Sequence, residues 1–297
     1  MPIRLEQIST PKPAVLPSRR KNGANEQRRA VQLIRAAERL SPTLLKFTVP
    51  LYQVDEKSRP VLVGSGVLVA LAEIRFLLTA GHVFDLNATG QLIVGVSPEL
   101  FTIAGRPSRW RSIGAVKPSD DKIDIAAIRV EGGPWDALPM DRFLNWQSID
   151  TAIPIAARQS YALIGFPHSV NRKAIHGERI KSAAFRFAGL ECEPAAYTDE
   201  EVDANQNVML GFEKNAMWGV EGRRNAPDLY GASGCGLWRF GRRIRGSFRP
   251  PKLSAIATEW HPKGKHRHIL GTRITFIIGA LADKYEDVRR YVNEMAV

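Results

Sequence analysis

Cysteine is nearly missing from this chain. Cys192 and Cys235 are the only two in 297 residues, too few to staple a secreted β-rich protein of this size, and a reducing compartment suits them better. They lack a Cys-x-x-Cys spacing, and a bridge between them is not expected. Long apolar runs are missing too. No stretch reaches the eighteen or so apolar residues of a membrane span. Residues 1–24 carry Pro2, Pro11, Pro13, Pro17 and Arg19-Arg20-Lys21 without the continuous apolar segment of a secretory leader. A cytoplasmic, soluble protein with no membrane span is expected. Acid is also in short supply: 30 Asp and Glu stand against 42 Lys and Arg, a formal net charge of +12. Such a surface attracts anionic partners, whether nucleic acid, a membrane surface or an acidic protein.

What is present is β-structure between two helical ends. Residues 1–24 read as a basic flexible arm. From Asn25 to Leu40, Val31, Ile34, Ala37 and Leu40 recur at three-residue steps, so an amphipathic helix is expected there, capped by Asn25 and ended by Ser41-Pro42. The arm and helix make up residues 1–42; residues 43–297 form the main domain. Strands are expected at 45–54, 61–71, 75–79, 91–96, 110–116 and 125–130, giving a first barrel over about 43–135. After a linker at 131–148, a second set at 160–165, 183–190, 207–212, 236–240, 252–260 and 268–275 gives a second barrel over about 150–277. A helix closes the chain at 278–295. The fold class is therefore all-β: two packed six-stranded β-barrels with an N-terminal amphipathic helix and a C-terminal helix.

Three residues stand in settings that suit nucleophilic acyl transfer. His82 follows the apolar run Ile74–Leu78 in Thr79-Ala80-Gly81-His82, where an imidazole can project from a barrel edge. Asp124 opens the apolar strand Ile125–Val130, where a half-buried carboxylate can orient a histidine. Asp120 and Asp121 lie within the preceding turn and are read as solvated. Ser233 sits in Gly231-Ala232-Ser233-Gly234, whose glycines allow a sharp turn. The N–H groups of Gly231 and Ser233 can then face a developing oxyanion, each donor worth roughly 3–4 kcal/mol. Singly, Ser233 fits an ordinary Gly/Ser turn, and His82 has a rival in His168. Jointly and in order, the three constrain one another.

These segments resemble the trypsin-like (chymotrypsin-fold) serine peptidases, in particular their bacterial intracellular type. Thr79-Ala80-Gly81-His82 resembles the family's Thr-Ala-x-His motif, Asp124-Ile125-Ala126 its Asp-Ile-Ala motif, and Gly231-Ala232-Ser233-Gly234 its Gly-Asp-Ser-Gly motif. Gly64-Ser65-Gly66 fits the strand commonly found upstream of the histidine. The likeness spans residues 43–297, with specific motifs only at these three places. It implies a serine endopeptidase working through an acyl-enzyme, with Ser233 as nucleophile, His82 as general base and Asp124 as its orienting carboxylate. It also implies that Thr258 supports the aspartate through its hydroxyl, and that Glu259-Trp260 bind a peptide by β-addition.

The departures carry information as well. Ala232 replaces the aspartate that pairs with a freshly cut N-terminus in zymogen-type members, so activation by that route is not available. Trp260 stands where trypsin has a small glycine, which narrows or closes the specificity pocket. The pocket-floor position falls on Pro227; a one-residue shift would place Asp228 there and imply cleavage after Arg or Lys.

The expected partners are a protein or peptide substrate and a regulatory protein that switches on activity. The alternative is a weak or inactive peptidase-fold binding module that contacts nucleic acid or a protein through basic surfaces. Its best candidate is Arg239–Arg245 with Phe248, Arg249 and Lys252, which also reads as a solvated hairpin tip. His261, His266 and His268 cluster in a cationic segment that opposes a divalent ion, so neither a metal nor another cofactor is expected.

Overall fold

In the computed structural model, residues 4–7 and 23–295 are described, apart from 57–58, 89, 97–98, 104–106, 116–119, 153–157, 172–174, 177–178, 216, 220–221, 242 and 245–246. The apolar stripe expected at the N-terminus forms helix α1, Gly23–Leu44. It starts before Asn25 and runs through Pro42, against the expected cap and stop. Its last turn closes because the Leu45 N–H reaches Ser41 O at 2.8 Å, and the Thr48 hydroxyl takes Leu44 O at 3.1 Å. Pro42 has no N–H to offer Glu38 O, so the helix gives up one bond there.

Seven strands make the first sheet: β1 Thr48–Val54, β2 Pro60–Leu71, β3 Ile74–Ala80, β4 Leu92–Val96, β5 Glu99–Thr102, β6 Ser108–Trp110 and β7 Ile125–Arg129. Their spatial order is β5-β4-β1-β2-β3-β7-β6. The expectation of six strands missed β5, too short for its alternation to show. It also placed β6 too late, at 110–116.

The second sheet holds six strands, as expected: β8 Ser160–Gly165, β9 Phe185–Leu190, β10 Asn207–Gly211, β11 Gly236–Arg239, β12 Lys252–His261 and β13 His268–Arg273. The order is β9-β8-β11-β12-β13-β10, and an antiparallel bridge from Glu191 to Leu210 joins the two outer strands. In both sheets the inward residues are Val, Ile, Leu, Phe and Ala that the β-pleat turns to one side.

The C-terminal helix begins earlier than expected and is split into α3, Ile274–Lys284, and α4, Glu286–Met295. The largest apolar cluster is neither barrel's own interior. It gathers Leu33, Ile34 and Ala37 of α1, Phe76 and Leu78 of β3, Ile164 of β8, Trp238 of β11, and Ile277 and Leu281 of α3. Both terminal helices therefore pack on the seam between the sheets. In the N-terminal arm, Arg4–Gln7 pairs in parallel with Arg179–Ser182. Among the described residues no helix is long and apolar enough to cross a membrane.

Candidate active site

β3 and β7 are antiparallel, and the pairs Thr79↔Ala126 and Ala80↔Ile125 bring Gly81 beside Asp124. The Gly81 N–H donates to Asp124 O at 2.7 Å. The chain then turns into a short helix, α2 (Gly81–Asp85), whose second residue is His82. The His82 N–H donates to Asp124 Oδ1 at 3.0 Å, and its ring Nδ1 lies 2.5 Å from Oδ2. A carboxylate placed there favours the tautomer with the proton on Nδ1, leaving Nε2 as the basic nitrogen.

Asp124 is 8% exposed and holds a left-handed backbone, φ +35°. Aspartate tolerates that region better than most residues, and its neighbours enforce it. Asp121 Oδ1 accepts the N–H groups of Ser112 at 2.7 Å and of Ile123 and Asp124 at 3.1 Å each. Asp121 is thus buried and organises the turn, contrary to its reading as solvated. The second barrel grips the same turn: the Thr272 hydroxyl donates to Ile123 O at 2.5 Å and Asn207 Nδ2 to Lys122 O at 2.6 Å.

Ser233 is half-buried in a turn flanked by Gly231 at φ +86° and Gly234 at φ +89°. Around it the amides divide into two sets. Those of Ala232, Gly234 and Cys235 are spent on Leu229 O at 2.8 Å, Ala257 O at 2.7 Å and Ala232 O at 3.1 Å. Those of Gly231 and Ser233, the two expected as oxyanion donors, have no partner among the described residues. The turn docks on the first barrel: the Ser65 N–H reaches Ser233 O at 2.9 Å and its hydroxyl Gly231 O at 3.2 Å. Gly234 lies against Ser65 O and Thr79 Oγ1, leaving no room for a Cβ. Gly234, the residue after Ser233, thereby meets Thr79, three residues before His82. Among the described residues, no hydrogen bond joins its hydroxyl to the imidazole.

Thr258 does not take its expected role. A shift in register between Ala257 and Glu259 interrupts the β12–β13 ladder, and the Thr258 hydroxyl points to Leu270 O at 3.4 Å instead of Asp124. The residue that meets Asp124 is Arg109 of β6, whose Nη2 lies 3.3 Å from Oδ1. It was missed because the strand was placed two residues late, starting at Trp110. Only the fold shows it, by pairing Arg109 with Ala126 of β7.

Glu259 and Trp260 pair with Leu270 and Ile269 on one edge of β12. On the other edge the β11 ladder covers β12 only up to Ile256. The rest of that edge has no strand partner among the described residues, the geometry an added strand needs. The Trp260 indole, however, packs on the second barrel's core, edge-on to Phe212 at 6.0 Å.

The rival groups are accounted for. His168 packs edge-on against Tyr230 at 6.1 Å. Asp228 is half-exposed and paired with Lys214 at 2.5 Å. Burial pushes the Cys235 thiol up, away from ionisation, and raises that of Cys192 to about 12; both are free thiols. His266 pairs with Asp199 at 2.7 Å, and His261 stacks on His268 at 4.5 Å. Among the described residues no group of three metal-binding side chains forms. The side chains of the basic hairpin from Arg242 to Phe248 lie outside the described residues.

A solved structure of similar fold is that of a scabies mite inactivated protease paralogue, S-I1, with TM-score 0.51 at 10% identity, covering 81% of this chain and 94% of that one. The fold is the chymotrypsin-like double β-barrel. A collagenase structure also matches, with TM-score 0.48 at 11% identity over 82% of this chain and 94% of that one. No protein-family model and no curated protein matches the chain by sequence. The double barrel places His82 and Asp124 on its first sheet and the Ser233 turn on its second.

Proposed function

We propose that this protein is a serine endopeptidase, with Ser233 as nucleophile, His82 as general acid–base and Asp124 as its orienting carboxylate. The observation that carries the reading is the division of amides in the Ser233 turn, opposite a His82–Asp124 pair. The N–H groups of Ala232, Gly234 and Cys235 are used internally, while those of Gly231 and Ser233, the proposed oxyanion donors, are left to a ligand.

In the forward reaction Ser233 Oγ adds to the peptide carbonyl carbon as its proton passes to His82 Nε2. The carbonyl oxygen gains the negative charge and accepts from Gly231 and Ser233 N–H. Nδ1–H stays bonded to Asp124, which stabilises the imidazolium. Collapse breaks the C–N bond, and His82 returns the proton to the leaving amine. Water then repeats the cycle on the acyl-serine, releasing the acid. The substrate backbone would lie along the open edge of β12 beside Glu259 and Trp260.

A serine-directed phosphonate tests this directly. Wild type is expected to be labelled at Ser233 and to cleave members of an unbiased peptide library; Ser233→Ala is expected to do neither. Absence of label over a broad pH range would overturn the reading.

Two observations favour a second state of the same site: Trp260 packed on the barrel core, and a Ser233 hydroxyl not bonded to His82. They fit a chain that is silent until a partner protein rearranges the cleft, or one used for binding alone. Labelling that appears only with a partner present separates the first case from the second. The proposed cytoplasmic location rests on the scarcity of cysteine, and the proposed bacterial intracellular type on the departures at Ala232 and Trp260.

A further inference from the structure

We propose that Arg109 is a positioning residue for the His82–Asp124 pair, standing in for the hydroxyl that Thr258 turns toward Leu270. Its catalytic consequence rests on the peptidase reading above; its effect on His82 rests on geometry alone.

The Arg109 side chain is 20% exposed and lies between two carboxylates. Nη1 donates to Asp85 Oδ1, and Nη2 lies 3.3 Å from Asp124 Oδ1, while Nε is buried without a partner among the described residues. The seat is built for it. A Cβ at Gly81 would come 2.5 Å from Arg109 Nη2 and 2.6 Å from Asp124 Oδ1. The glycine immediately before His82 therefore leaves the space that the guanidinium and carboxylate fill together. Arg111 completes the row, with Nη2 3.3 Å from Asp85 Oδ2 and Nε 4.0 Å from Asp121 Oδ2. From the second barrel the groups bonded to this turn are the neutral Asn207 and Thr272.

Two effects follow. Oδ1 accepts from the His82 N–H and from Arg109, and Oδ2 faces the imidazole, so the carboxylate is held against rotation on both oxygens. Without Arg109, one of the two contacts at Oδ1 is lost. The positive charge also shares the field of Asp124. Remove it, and the whole negative charge acts on His82, which then keeps its proton to higher pH. Arg109 thus fixes the orientation of the carboxylate that holds the imidazole. Lysine is a poor substitute, because one ammonium cannot span Asp85 and Asp124 as a planar fork does.

The test uses the full chain as wild type, Arg109→Gln and Arg109→Lys. The His82 ring is titrated by NMR, with thermal unfolding as the check on folding. The His82 midpoint is expected to move to higher pH in R109Q and by a smaller amount in R109K. Where peptide hydrolysis is measurable, kcat should fall about tenfold to a hundredfold with KM unchanged, as for a misplaced catalytic group. Among the described residues the Arg109 guanidinium bonds Asp85 and Asp124 and not Glu259 or Trp260 of β12. A folded R109Q that titrates like wild type overturns the proposal. Should R109Q not fold, an R109K titration identical to wild type overturns it instead. Failure of the phosphonate to label Ser233 sinks the peptidase reading but leaves the titration to decide the role of Arg109.

Discussion

Replacing Gly234 by alanine would strike where the two barrels meet. The perturbation has two parts. At φ +89° an L-residue is strained, which costs alanine about 1–2 kcal/mol. The new Cβ would also fall well inside 3.0 Å of both Ser65 O and Thr79 Oγ1. Neither neighbour can yield cheaply: the Thr79 hydroxyl donates to Ser65 O at 2.7 Å, and the Ser65 N–H is tied to Ser233 O at 2.9 Å. Overpacking of this kind costs about 1–3 kcal/mol, so Gly234→Ala should lose about 2–5 kcal/mol in all. Gly264 isolates the first part. It has φ +99° with nothing within 4 Å of a Cβ, so Gly264→Ala should cost about 1–2 kcal/mol. Urea unfolding of the two variants beside wild type reads the difference. Equal losses would refute the claim that the Ser233 turn is wedged against β2 and β3.

Three further outcomes follow from contacts described here or nearby. Trp260→Ala should widen the range of side chains accepted in a peptide-library digest, at a stability cost of about 2–4 kcal/mol; an unchanged preference would deny the indole any part in the pocket. Asp150 is 5% exposed, receives both Nε and Nη2 of Arg239 at 2.5 Å and the Ser254 hydroxyl at 2.8 Å, and raises the Arg239 pKa. Asp150→Ala strands that guanidinium and should cost about 3–5 kcal/mol by urea unfolding, whereas a loss under 1 kcal/mol would mark the pair as solvated. Burial holds the His268 pKa below the ordinary value of 6.5. The unfolded chain therefore binds this proton first, and stability is lost as pH falls from 6.5 down through the lower folded value. A His268→Gln variant should lose less over that interval, and parallel curves would exclude the contribution.

The sequence made legible whatever depends on short-range pattern. The Thr-Ala-Gly-His segment, the Asp-Ile-Ala start of β7 and the Gly-Ala-Ser-Gly turn each announce themselves locally, and antiparallel pairing of β3 with β7 brings the first two together. Barrel architecture was legible for the same reason, since the β-rich runs of β2, β3 and β12, bounded by turn residues, are long enough to read. What stayed hidden depends on tertiary contacts. Four residues at Glu99–Thr102 have no distinctive period, and they become a strand only because β4 offers an edge. Thr258 lies in the expected segment but is turned away by a register shift that no linear pattern records. Arg109 and Asp121 look like ordinary surface charges until the fold places them around Asp124.

The helix that comes first in the chain rests on strands made much later. Leu33, Ile34 and Ala37 of α1 share one apolar cluster with Ile164, Trp238, Ile277 and Val288. During synthesis α1 therefore emerges with an apolar face that has no lasting cover until the second barrel and residues 274–288 have followed. Closure of the seam is a late, long-range event, slow by its topology. The His82 and Ser233 segments belong to opposite sides of that seam. A nascent chain would thus hold the His82 and Ser233 segments apart until its folding was almost complete.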